Sequence, residues 1–286
     1  MKGLGKQIPR MGNRFRFLLD SMMLTVLSIS SACSQIVSEP KTSCVTNATG
    51  INRDAFSGQE LDQGQLSLIF TGGPNDFTSE ISSFLTENQI QASFFVEGQF
   101  IKEHRETLKQ VFADGHLIGN GGYSGEDLVS SKAATIEVRM TDHLIEPFIK
   151  GNMFLLHPPK GIINDRVRRL LNESGLGKYV GPILPLAGQG NQEFITDEQC
   201  WSQGLDIDSC VDIYRNEIDR IQRGIVSFSN QSGETLELIR RILPVLDFEG
   251  FSFVRLDEVP SVHFALRSSG GKPLQNDQSA PCFDYE

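Results

Sequence analysis

The side chains able to do chemistry in this 286-residue chain are few and thinly spread. There are five histidines, and one of them, His143, stands three positions before Glu146 on a stretch that reads as helix. That spacing can turn two metal ligands to one face. A pair alone falls short of the roughly three protein ligands that a catalytic metal takes. Ser124 and Ser229 are hydroxyls without the G-x-S-x-G turn that marks a nucleophile. Asp76, His157 and Lys160 stand close to the ends of apolar runs, and His116 lies just before one. On its own Lys160, within HPPKG at 157–161, reads as a solvated charge.

Alternating strands and helices must position these groups. The run LSLIF at 66–70 is a short buried strand, and Ile81, Phe84 and Leu85 mark the helix face that follows. ASFFV at 92–96 is a second strand. Ile101, Leu108, Val111 and Phe112 then give one helix, ended by Gly115 as a C-terminal cap. A third strand falls at 116–119, a helix at 133–149, and NMFLL at 152–156 is a strand running into HPPKG. Ile207, Val211, Tyr214, Ile218 and Ile221 hold a helical period that Gly224 stops. IVSFS at 225–229, a helix through Leu236, Ile239, Leu243 and Leu246, and FSFVRL at 251–256 complete the series. Such alternation implies a parallel sheet, and so many units imply a closed or nearly closed barrel.

Hydrophobic residues form 39% and charged residues 22% of the chain, the balance of a globular protein. In the first 32 residues Lys2, Lys6, Arg10, Arg14 and Arg16 face only Asp20; removing that +4 from the net −10 leaves −14 on the remainder. So acidic a body argues against a nucleic-acid partner, which requires clustered Lys and Arg, and against direct adhesion to anionic lipid. After the basic start comes the apolar run Ser21–Ala32 and then Cys33. Its length suits the core of an export signal and falls short of the ~20 residues that cross a bilayer. The segment ISSAC at 29–33 resembles a bacterial lipobox, which implies lipidation of Cys33 and attachment to membrane only through that lipid. Plain secretion and an uncleaved anchor are the alternatives. Export permits disulfides. Cys44, Cys200, Cys210 and Cys282 allow three connectivities; pairing Cys200 with Cys210 closes a local loop and leaves Cys44 to tie the N-terminal segment to the tail at Cys282. The expected divisions are an export signal at 1–32, a polar tether at 33–63, the barrel at 64–260 and a tail at 261–286.

Several segments, in chain order, resemble the motifs of the polysaccharide deacetylases with the NodB homology fold, carbohydrate esterase family four. IFTGGP at 69–74 follows the family's TFDDGP, and GHLIGNGGYSG at 115–125 follows GHEIGNHTYSH. HPPKG at 157–161 follows RPPYG, and IVSFSN at 225–230 follows IVLLHD. The resemblance implies a single-domain α/β fold, a distorted (β/α) barrel of the NodB/polysaccharide deacetylase type. It also implies a zinc-type divalent ion that polarises an amide carbonyl, with a carboxylate base and an acid beside it. Here Thr71 and Gly72 stand at the paired aspartates, Gly121 and Gly125 at the two metal-binding histidines, and Ser229 and Asn230 at the last histidine and aspartate. His157 replaces the arginine and Lys160 the tyrosine. The family's acid-rich stretch near a tryptophan has no obvious counterpart between Val180 and Trp201.

The expectation is therefore a deacetylase scaffold without metal, base or acid. Loss of side-chain bulk predicts a wider and less anionic groove that holds an N-acetylated glycan or peptidoglycan without cutting it. Asn120, Tyr123, His157, Pro158, Lys160 and Asn230 are the expected contacts, with no cofactor. Two alternatives stand beside this reading: a hydrolase with a site rebuilt on His157 or Asp76, and an envelope scaffold that binds a protein partner.

Overall fold

The computed structural model describes residues 41–44, 50–188, 195–268 and 282–285, and Pro40–Glu286 forms one compact unit. The expected export signal and Cys33 lie outside the described residues. In chain order the elements are β1 (Lys41–Cys44), β2 (Ile51–Phe56), β3 (Gln65–Thr71), α1 (Asp76–Glu87), β4 (Ser93–Val96), α2 (Gly98–Ile101), α3 (Arg105–Ala113) and β5 (Leu117–Asn120). Then follow α4 (Ala134–Ile145), α5 (Asp165–Leu171), β6 (Gly181–Ile183), α6 (Asp197–Ser202), α7 (Ile207–Ile221), β7 (Gly224–Ser229), α8 (Gly233–Phe248), β8 (Ser252–Phe253), α9 (Pro260–Ser268) and β9 (Cys282–Tyr285).

The run LSLIF becomes the centre of the sheet because it is apolar on both faces, as strands covered on both sides must be. Leu66, Leu68, Ile69 and Phe70 are all fully buried. Parallel pairing gives the order β5-β4-β3-β7, with β8 joining the start of β3. A ring is then completed by single rungs. Leu155–Leu156 bridges Asn120 on one side and Val180 on the other, β6 pairs with β2, and Ala187 bridges Val226. Leu186 N donates to Ile225 O at 2.8 Å and Ser227 N to Ala187 O at 3.0 Å, which joins the far side to β7. The expected distorted barrel is present, closed by isolated bridges rather than by long ladders.

Local chemistry sets the helix starts. Asn75 accepts from Phe77 N and Thr78 N while Thr78 Oγ1 accepts from Asn75 N at 2.8 Å, a capping box that launches α1. Thr196 and Gln199 repeat the device at α6. Cys200 and Cys210 form the expected disulfide, tying α6 to α7. The antiparallel pair β1–β9 sets Cys44 opposite Cys282 in register.

Four expectations need correction. The helix through Ile101 and Phe112 is two pieces, because Lys102–Glu106 carries no apolar residue to hold that turn on the core. NMFLL makes single rungs only, since Pro158 and Pro159 lack the N–H groups that would extend a ladder. Helix α7 stops at Gln222, in the left-handed region at φ 58°, ahead of Gly224. The barrel also outruns its expected 64–260 bounds. Ile51, Phe56 and Leu61 are buried in the body, and α9 buries Val262 and Ala265.

Candidate functional site

The loops that follow the parallel strands converge on a cavity of about 480 Å³ at one rim. Its floor is tied together by backbone. Gly72 N donates to Phe95 O at 3.1 Å, Glu97 N to Gly73 O at 2.8 Å, and Asn230 N to Thr71 O at 2.8 Å. The ends of β3, β4 and β7 are thereby locked, and the first, second and third of the resembling motifs all contribute lining residues.

Neighbours have taken the places where ligands would sit. Gly72 has φ +83°, and a Cβ built there collides with the amide of Gln231. Gly125 has φ +76°, and its Cβ would lie 2.7 Å from Glu97 Oε1. L side chains rarely adopt either conformation. At Gly121 a Cβ would press on the carbonyl oxygens of Phe95 and Val96 at 2.9 and 3.0 Å. Gln231, Glu97 and backbone therefore crowd these three glycines. The rim is not stripped of acid, because Glu97 and Glu198 both line the cavity.

A divalent ion does not fit this donor set. Thr71 is a neutral hydroxyl, three of the aligned ligand positions have no side chain, and among the described residues no three His, Cys, Asp or Glu side chains gather as a metal site. Among the described residues, His143 and Glu146 are not joined by any third donor. Asp76 is exposed at the start of α1, facing His104 at 3.7 Å, and does not line the cavity.

His157 and Lys160 do line it. The His157 ring is 7% exposed and packs on Phe95 with centroids 5.6 Å apart. Its Nδ1 lies 2.7 Å from Ile183 O, so Nδ1 carries the proton and Nε2 the lone pair. Burial pushes the imidazole pKa down to about 4, which keeps the ring neutral at physiological pH. Lys160 is exposed at the mouth, in the left-handed region at φ 58°.

Four expected contacts are instead structural. Asn120 Nδ2 donates to Val138 O at 2.8 Å and to Tyr179 Oη at 3.0 Å, while its Oδ1 accepts from Gly122 N at 2.9 Å. Asn230 is fully buried and donates from Nδ2 to Gly72 O at 3.2 Å, bracing the first loop. Tyr123 lies against Gly98, outside the cavity, and Pro158 is buried while Pro159 forms the wall. His116 is structural. It accepts from Ala92 N at 3.1 Å through Nδ1, and its Nε2 lies 3.3 Å from Ser82 O.

Two acids that none of the resembling motifs singles out, Asp197 and Glu198, stand ahead of Trp201 on α6. Asp197 accepts from Ser229 N at 3.0 and 3.1 Å and from Thr235 Oγ1. Desolvation outweighs these bonds and pushes its pKa up to about 6. Glu198 Oε1 accepts from Ser229 Oγ at 2.9 Å. The motif Thr196-x-x-Gln199 with two acids in its first turn was the available signal. Glu97 carried none, since nothing at the end of ASFFV marks it. Its carboxyl is held above the usual range chiefly by desolvation, with Glu198 and Glu137 adding repulsion.

Comparison with known proteins agrees with this architecture. Residues 58–178 match the family described as polysaccharide deacetylase. A peptidoglycan-N-acetylglucosamine deacetylase of Bacillus cereus is 23% identical over 202 residues, covering 68% of this chain and 87% of that protein. Three further curated relatives, among them a peptidoglycan-N-acetylmuramic acid deacetylase of Bacillus subtilis, are matched over less than half of their own length. Among solved structures, a peptidoglycan N-acetylglucosamine deacetylase superposes with a TM-score of 0.57 at 20% identity, over 72% of this chain and 91% of the other. A CE4 family pseudoenzyme from Bacillus anthracis gives a TM-score of 0.55 at 16% identity, over 69% and 66%. At these identities the structural likeness speaks to fold, and the match of residues 58–178 together with the order of the motifs carries a resemblance to the polysaccharide deacetylase family.

Proposed function

We propose that this protein is a non-catalytic member of its family, exported to the bacterial envelope, that binds a strand of N-acetylated glycan or peptidoglycan without cutting it. The observation that carries this reading is the crowding around the glycines that stand where the resemblance places metal ligands. Gln231 and Glu97 occupy the volume that side chains at 72 and 125 would need. With no cluster of donors among the described residues to hold an ion against a carbonyl and no imidazole at Ser229, the rim lacks the family's means of hydrolysing an amide. What persists is a cavity with apolar walls at Phe95, Pro159 and Ile162 and polar groups at its mouth, the composition of a binding site. Bacterial peptidoglycan deacetylases among the relatives support an envelope setting, with Cys33 as the lipid-bearing residue.

The test is acetate release by the full chain from N-acetylated chitooligosaccharides and peptidoglycan, with zinc, with chelator and with neither. The expected result is no release in any condition together with measurable affinity for the strand. Chelator-sensitive release would refute the reading. Release that survives chelator and disappears in His157→Ala would favour a rebuilt hydrolase instead.

A further inference from the structure

The cavity has lost the donor set for a metal yet keeps groups that attract a cation. Glu97 and Glu198 line it from opposite parts of the chain, one at the end of β4 and one on α6. Each has an oxygen engaged by a neutral donor: Gln99 Nε2 to Glu97 Oε2 at 2.9 Å, and Ser229 Oγ to Glu198 Oε1 at 2.9 Å. Neither makes an ion pair among the described residues. The third acceptor is His157. It is more than nine-tenths buried, its Nδ1 is committed to Ile183 O, and Nε2 has no partner among the described residues. Against these stands one lining cation, Lys160, exposed at the mouth.

Among the described residues these acceptors form no metal group, yet they can attract a cation whose N–H donors reach acceptors at about 2.8 Å. A primary ammonium has three such donors. We propose that, within the glycan strand, this cavity takes a sugar whose acetyl group has already been removed, its ammonium held by Glu97, Glu198 and Nε2 of His157. Pro159 and Ile162 offer apolar surface to the carbons of the ring. An acetylated sugar brings one neutral N–H to the same place and no positive charge to set against the two carboxylates. The protein would then act downstream of an amide hydrolysis performed by another enzyme, as a reader of its product. This inference rests on the glycan-binding reading above.

Isothermal titration of the full chain with chitobiose and with its di-N-acetylated form, at pH 6 where a sugar amine is protonated, tests it. The free-amine disaccharide is expected to bind at least about tenfold tighter, the scale of one charge-assisted hydrogen bond. Glu97→Gln and Glu198→Gln should each erase most of that preference, while Glu106→Gln on the exposed face of α3 should leave it. Melting curves identify a misfolded variant; Glu198, exposed on α6, carries the test if Glu97→Gln unfolds. Equal or tighter binding of the acetylated form overturns the inference and leaves the glycan reading intact. A preference untouched by both cavity variants, or one that requires added zinc, also overturns it. Binding of neither sugar here, nor of the longer strand, overturns both.

Discussion

His157 and Asp197 are buried titratable groups whose pKa values move in opposite directions, which makes the rim's response to pH predictable. His157 falls from 6.5 to about 4, so the unfolded chain binds its proton first and stability rises with pH between about 4 and 6.5. Asp197 rises from 3.8 to about 6, so the folded chain holds the extra proton and stability falls as pH rises through that window. Each effect is worth roughly 3 kcal/mol, and the two have opposite signs. His157→Gln should therefore be more stable at pH 4.5 than at pH 7 relative to wild type, and Asp197→Asn the reverse. Thermal melts at the two pH values read this out; slopes of the same sign in both variants would refute it. The missing side chains at Gly72, Gly121 and Gly125 were legible because a motif announces what it lacks. Glu97, Gln231 and Asp197 were not, since they reach the rim through tertiary packing from outside those motifs. Asn120 and Asn230 misled for a related reason. Polar residues in a motif resemble ligand contacts, but buried backbone groups must also find partners.

At the scale of elements, the long amphipathic pieces α1, α7 and α8 and the apolar strands β3, β4 and β7 could be read from periodicity alone. The elements missed were short and marked by no pattern: β6 has three residues, and β2 mixes polar and apolar types as INRDAF. The Cys200–Cys210 bridge joins α6, which carries Asp197 and Glu198, to the long α7. Closing a loop of that separation removes chain entropy worth about 3 kcal/mol. Replacing both cysteines by alanine should cost stability of that order. It should also weaken glycan affinity, because α6 presents Glu198 to the cavity. Chemical denaturation and titration on the same double variant check both effects; loss of stability with unchanged affinity would show that α6 holds its place without the bridge.

For the whole molecule, the boundary correction has a direct consequence. Ile51, Phe56 and Leu61 belong to the core, and burying each contributes about 1.5–3 kcal/mol, which together rivals the entire stability of an ordinary domain. A chain beginning at residue 64, where the polar composition of the preceding stretch suggested the domain starts, should not melt cooperatively. One beginning at Pro40, the start of the compact unit, should. Calorimetry of the two fragments distinguishes them.

Gln231 beside Gly72 and Glu97 beside Gly125 also set a direction on the history of such a site. Gly72 and Gly125 sit in the left-handed region, where an L side chain is strained whatever the space around it, and one ligand alone holds no metal. On the proposed reading, a single substitution toward catalysis would meet that strain without gaining an ion. The arrangement would then be a ratchet: selection could walk into it one residue at a time, but the way out requires the loops to change together.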